Sequence, residues 1–231
     1  MIKAIVKKEM KELLKSKEFI SYYIMLIIVI GIMIPISSKE SILNRNWYVM
    51  GFLFQIIASV IPSGLTADSF AGEKERKTIE TLFNSPVPLI YIFLGKVIYI
   101  VIVTLIIMTI IFGISYILFI IMNFIEYKNL IFNFYSFKAI YFIFINSLIV
   151  CFFTTFLGVL ISLRSKTVKA ANLFNYFISM PIIAPVLGKL YTGTMPWSFI
   201  LIYQLILFIG IGLLLVIIKN KFKIHSILEN M

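Results

Sequence analysis

Cysteine, histidine and acidic residues are the scarce side chains of this sequence. It has one cysteine, Cys151, and one histidine, His225, among 231 residues. A single cysteine forms no intrachain disulfide, and Cys151 lies in an apolar run where it reads as a small packed hydrophobe. One histidine and one cysteine supply no ligand set for a metal and little for nucleophilic catalysis. Charged residues make up 13% of the chain, against roughly 25% in a soluble domain. The hydrophobic share of 61% excludes a soluble globular protein and also a disordered chain.

Uncharged runs are what the sequence has in abundance. They cover Phe19–Ser38, Asn46–Ala67, Val97–Ile125, Ala139–Leu163, Ala170–Gly188 and Leu190–Ile218. About 20 apolar residues cross a bilayer as a helix. None of the runs alternates as a membrane β-strand would, so helices are left to satisfy the backbone in lipid. The expected fold is an all-α membrane protein in a single domain over residues 1–231. Six transmembrane helices are predicted at 19–38, 46–67, 89–122, 139–163, 168–188 and 198–218. The N-terminal stretch shows no small-residue cleavage site and is expected to remain part of the protein.

The net charge of +11 invites a nucleic-acid reading, but its distribution fits membrane topology. With the N-terminus in the cytoplasm, the inner segments hold Lys3, Lys7, Lys8, Lys11, Lys15, Lys17, Lys74, Arg76, Lys77, Arg164, Lys166, Lys169, Lys219, Lys221 and Lys223. The outer segments hold Lys39, Arg45, Lys128, Lys138 and Lys189. That is 15 against 5, with Lys96 near a boundary, out of 21 basic residues. Both termini are therefore expected inside the cytoplasmic membrane, with no nucleic-acid partner. The outer segments Lys39–Arg45 and Glu126–Lys138 are too short to fold as domains.

Residues 1–18 read as an interfacial helix. Ile2, Ile5, Val6, Met10, Leu13 and Leu14 follow the helical period, and lysines fill the other face. Such a helix rests its apolar side in the headgroup plane. It serves either as an anchor or as a connection to the first span. A second charged segment, 70–85, falls between the second and third spans. Ile79, Leu82 and Phe83 share one helical face there. Glu73 with Lys77, and Arg76 with Glu80, are four apart and can pair. Ser85 before Pro86 reads as a cap opening the next helix.

The string from Glu73 through Glu75, Arg76, Lys77, Thr78, Ile79, Glu80, Leu82, Phe83, Asn84 and Pro86 resembles the signature of ABC-2 type transporter permeases. In that pattern an acidic pair precedes a Gly-Thr or Lys-Thr step, followed by a glutamate, leucines and a Ser/Thr-Pro. Here Lys77 takes the Gly/Lys position and Phe83 stands where a second leucine is common. The resemblance implies that 70–85 is a coupling helix docking into a separate ABC ATPase subunit. Two copies of that subunit would carry ATP and Mg, with a second copy of this chain completing a homodimer. Glu73, Glu75 and Glu80 are the expected partners of basic residues on the ATPase. Lys74, Arg76 and Lys77 face either that partner or lipid headgroups. The sequence has no phosphate-binding G-x-x-x-x-G-K-[ST] motif, so no nucleotide cofactor and no catalytic residue is expected on this chain. The resemblance also implies export of an amphipathic or hydrophobic substrate, such as toxic or antimicrobial peptides.

Within the spans, Lys96 is expected to snorkel to the headgroups. The fifth run is expected to break at Pro181 and Pro185 and to be followed by a short re-entrant or interfacial element. Gln55, Asn146, Ser147, Thr154, Thr155, Asn172, Asn175 and Gln204 are expected to bond between helices. Of these, Gln55, Asn146, Asn172 and Asn175, with Pro181 and Pro185, are the candidates for a substrate pathway or gate. A channel or secondary transporter working alone would call for intramembrane charges or an inverted repeat, and the sequence suggests neither. A non-transporting immunity or sensor subunit stays open.

Overall fold

The computed structural model describes residues 1–37, 48–78, 89–128, 135–192 and 195–228. Every regular element among them is helical. Helix α1 is Ile2–Lys15 and α2 is Lys17–Ser37. Helix α3 runs over Tyr48–Thr66, continues through a π-helical turn at Ala67–Gly72 and ends with Glu73–Glu75. Then come α4 (Leu89–Tyr127), α5 (Phe137–Arg164), α6 (Val168–Thr192) and α7 (Trp197–Leu228). Helices α2 to α7 supply the six candidate spans among the described residues, so the chain is a multi-pass membrane protein.

The centre of the bundle is α3 against α5, with α4 and α6 packed beside them and α2 and α7 outside. In the apolar stretch of α3, 67% is buried, against 22% in α2 and in α7. The outer helices expose Met25, Leu201, Ile206 and Leu213, and α6 exposes Phe177, side chains suited to hydrocarbon. At the centre, Gly158 of α5 lets the two backbones approach, since a Cβ there would run into the Thr66 hydroxyl.

Two prolines inside these helices, Pro35 and Pro62, share one solution. A helical proline lacks the N–H that would bond the carbonyl four residues earlier. For Pro35 that carbonyl belongs to Gly31, and the Ser115 hydroxyl of α4 donates to it at 3.3 Å. For Pro62 it belongs to Ala58, and the Thr154 hydroxyl of α5 donates to it at 3.1 Å. In hydrocarbon no water can take this place, so hydroxyls from neighbouring helices do.

The fifth span departs from expectation. Helix α6 does not break at Pro181 or Pro185; it runs 25 residues, about 37 Å, straight through both. Only four residues separate its end at Thr192 from Trp197, which leaves no room for a re-entrant helix. Tyr203 of α7 donates its hydroxyl to the Ile182 carbonyl, between the two prolines, at 2.9 Å and braces the segment. A proline removes one hydrogen bond, and in lipid the helix that keeps all the others is still the best available backbone.

The segment 70–85 is also not one helix. Residues 70–75 continue α3, and the helix stops at Lys77, whose φ is 58°. Thr78 N–H bonds the Glu73 carbonyl and Lys77 N–H bonds the Lys74 carbonyl. This pair of bonds is a Schellman stop, which places a left-handed residue just beyond the helix. Glycine is the usual occupant of such a position, and here Lys77 takes it. Ile79, Glu80, Leu82, Phe83, Asn84 and Pro86 lie outside the described residues, as does all of Lys39–Arg45.

Replacing Thr154 by valine should lower the stability of the detergent-solubilised protein by about 1 kcal/mol. In a Pro62→Ala background, where the Ala58 carbonyl regains its N–H, thermal unfolding should show a much smaller loss. An equal loss in both backgrounds would assign the hydroxyl another role.

Candidate functional site

The candidate site is a knot of charge at the end of the bundle that carries α1. Its centre is Lys96, which lies about two turns into α4 and is 1% exposed. Burial of an ammonium ion requires partners on every donor. Lys96 Nζ lies 2.6 Å from Glu73 Oε1 and 3.6 Å from Glu9 Oε1. It donates to the Ser69 carbonyl at 2.6 Å and stands 5.2 Å above the Phe70 ring. Ser69 and Phe70 belong to the π-helical turn of α3, a form that recurs at functional sites. Lys96 therefore does not snorkel to the headgroups. Carboxylates from two other helices meet it inside the protein.

Glu9 brings α1 into the knot. It sits four residues from both Ile5 and Leu13, on the apolar stripe of α1, and is buried. The stripe packs on protein: Val6, Met10 and Leu13 join the main core. Gly95 makes the contact possible, because a Cβ there would come within 2.8 Å of Ile5. The lysines of α1 stay exposed. Burial holds the Glu9 carboxyl above its ordinary value, opposed by Lys96 and reinforced by Glu73 and Glu12.

Consecutive residues then reach different helices. Glu73 binds α4 through Lys96. Lys74 Nζ donates to the Leu163 carbonyl, in the last turn of α5, at 3.0 Å. Glu75 Oε2 accepts from the Val168 N–H, which opens α6, at 2.9 Å. A cation thus meets a helix C-terminus and an anion a helix N-terminus, the signs that helix dipoles favour. Arg76 turns back to Asp68 of α3 at 2.8 Å, while Glu80, its other expected partner, lies outside the described residues, and Lys77 has left the helix before it could face Glu73. The carboxylates of Glu73 and Glu75 are both engaged within the chain. Thr78 bonds the Glu73 carbonyl through its hydroxyl as well.

A second feature is a cavity of ≈ 230 Å³ where α2, α3 and α6 meet. Glu18, Tyr22, Gly64, Asp68, Asn172 and Tyr176 line it. The buried Oδ1 of Asn172 has no hydrogen-bond partner. Asn175, one turn on, donates to the Ser63 carbonyl and ties α6 to α3. Gln55 donates to Ser147 at 2.9 Å in the α3–α5 interface. Asn146 ends a π-helical turn of α5, fully buried, with neither side-chain atom bonded. Of the residues expected along a pathway, Asn172 is the one found on this cavity.

Residues 1–206 match the family model described as ABC-2 type transporter. The chain belongs to the ABC-2 type transporter family. Comparison with curated proteins and comparison with solved structures each give no significant match. The match makes this chain a permease domain of ABC transport, which has no ATPase activity of its own and works with ABC ATPase subunits.

For the permease, sequence reasoning located the charged string but missed Lys96, Glu9, Lys74 and Asp68 as parts of one structure. Two signals could have found the knot: an acid on the apolar stripe of α1, and a lysine beside a glycine within an apolar helix.

Replacing Lys96 by methionine leaves the buried Glu9 and the partly buried Glu73 unneutralised and should cost roughly 3 kcal/mol of stability, read as a loss of folded, monodisperse permease in detergent. Glu9→Gln should do the opposite at neutral pH. A carboxyl whose pKa is raised by folding favours the fold while protonated and loses that contribution as pH rises through the raised value. The substitution therefore raises the melting temperature at pH 7.5, and the gain fades as pH falls toward 4.5.

Proposed function

We propose that the permease is the membrane subunit of an ATP-driven exporter of amphipathic or hydrophobic molecules, toxic or antimicrobial peptides included. It works as a homodimer with two copies of the ABC ATPase, in the cytoplasmic membrane, with both termini inside. The observation that carries this reading is the set of ties made by Glu73, Lys74 and Glu75 to α4, α5 and α6, and through Lys96 to α1. These residues stand where the chain leaves α3 for residues 79–88. The string Ile79, Glu80, Leu82, Phe83, Asn84 and Pro86 is then the ATPase-docking surface, with Arg76, Lys77 and Thr78 at its root. A push on it moves the ends of four helices together.

The lysine distribution supports a cytoplasmic position for this end. The exposed apolar faces of α2, α6 and α7 support cover by lipid and by a second permease. The cavity around Asn172 lies beside Asp68 of the knot, so motion of α3 against α6 would alter its shape. Gln55, Asn146, Asn175, Pro181 and Pro185 would act on that motion as interface and bracing residues.

Docking and coupling should separate by mutation. In inside-out membrane vesicles, added ATPase should bind the wild-type permease, and in right-side-out vesicles it should not. Glu80→Ala with Leu82→Ala and Phe83→Ala should abolish binding. Lys74→Gln with Glu75→Gln should retain binding and lose ATP-dependent transport by about tenfold, since two exposed charge-assisted ties, together worth on the order of 1–2 kcal/mol, are weakened. Binding in right-side-out vesicles alone, or full transport by the Lys74/Glu75 variant, would overturn the reading.

A further inference from the structure

We propose that the permease carries a binding site for one anionic phospholipid in the cleft where α5 and α6 part. The cleft has a volume of ≈ 520 Å³ and is lined by Ile161, Arg164, Lys166, Ala170, Phe174 and Ile178. Its two ends differ in chemistry. At the mouth stand Arg164 and Lys166, both exposed and neither in an ion pair among the described residues. Ala170, Phe174 and Ile178 recur every fourth residue and so form one row along α6. The row extends about 12 Å from the headgroup end into the hydrocarbon span. Phe174 and Ile178 are exposed, 59% and 44%, and Ile161 of α5 forms the facing wall.

An occupant must therefore bear negative charge at one end and an acyl chain at the other. A phosphodiester between two cations, with its chain along Phe174 and Ile178, meets both demands. A free phosphate would use only the mouth. The N–H that opens α6 is not available to it, because Glu75 already holds Val168. The bound lipid would instead neutralise Arg164 and Lys166 in the short turn from Arg164 to Val168, whose two ends Lys74 and Glu75 grip. The cleft is thus one residue removed from the charge knot, and a lipid seated there stiffens the turn that the knot pulls on.

Native mass spectrometry of the purified permease with added phosphatidylglycerol tests the site. One phosphatidylglycerol per chain should survive activation, and phosphatidylcholine should be lost first. Arg164→Gln with Lys166→Gln should weaken retention by about 25-fold, taking roughly fivefold per basic residue at an anionic headgroup. Ala170→Trp, which fills the cleft and keeps its charge, should weaken it as well. If that variant does not fold, Phe174→Ala, which strips the apolar wall, gives the same reading. Lys3→Gln with Lys7→Gln, on exposed lysines of α1, should leave retention unchanged. Equal loss from the α1 variant, or no effect of the cleft variants, would reduce the binding to diffuse surface attraction and overturn the proposal. Competition by glycerol 3-phosphate at matched concentration would mark a free-anion site and overturn it too.

Discussion

An ammonium group sealed from water must be neutralised where it stands, and this constraint shapes one whole end of the molecule. Lys96 is held by Glu73 from α3, by Glu9 from α1 and by the Ser69 carbonyl, with the Phe70 face beside it. The lysine cannot leave without stranding two carboxylates, and the helices that bring them cannot move apart without exposing it. Three segments distant in sequence are thereby held in fixed relation. Lys74 and Glu75 extend the arrangement to α5 and α6. Charge, scarce within the spans, is concentrated where separate helices are tied together.

The rest of the bundle obeys a different economy. Lipid gives no hydrophobic drive between helices, so close contact and satisfied backbone groups decide the arrangement. Gly158 brings α5 onto α3, Thr154 and Ser115 attend the carbonyls left by Pro62 and Pro35, and Tyr203 braces α6 between its prolines. The central pair α3 and α5 is well buried while α2 and α7 remain open to their surroundings. Buried Asn146, with its amide unbonded, marks a place where this pair is less than fully satisfied.

The spans were legible in the sequence because length and hydrophobicity alone determine them. The charged string was legible because it interrupts that background. What the sequence did not reveal depends on distance across the bundle. Lys96 looked free to reach the headgroups, since nothing near it in sequence announces Glu73 and Glu9. Pro181 and Pro185 looked like breaks, because the rule for proline comes from water, where a broken helix finds other partners. The helix stop at Lys77 was hidden by a residue that rarely takes a positive φ. The apolar stripe of α1 was read correctly, but its neighbour proved to be α4 in place of lipid, a choice made by Gly95 and invisible in periodicity.

The left-handed turn at Lys77 has an evolutionary corollary. Upstream of it every charged side chain from Glu73 to Arg76 is committed to the permease itself, and at the turn the helix ends. A full helical stop isolates this stretch mechanically from sequence changes beyond it. On the proposed docking role of residues 79–88, descendants of this gene could exchange that stretch for one that recognises a different motor while the membrane body stays as it is.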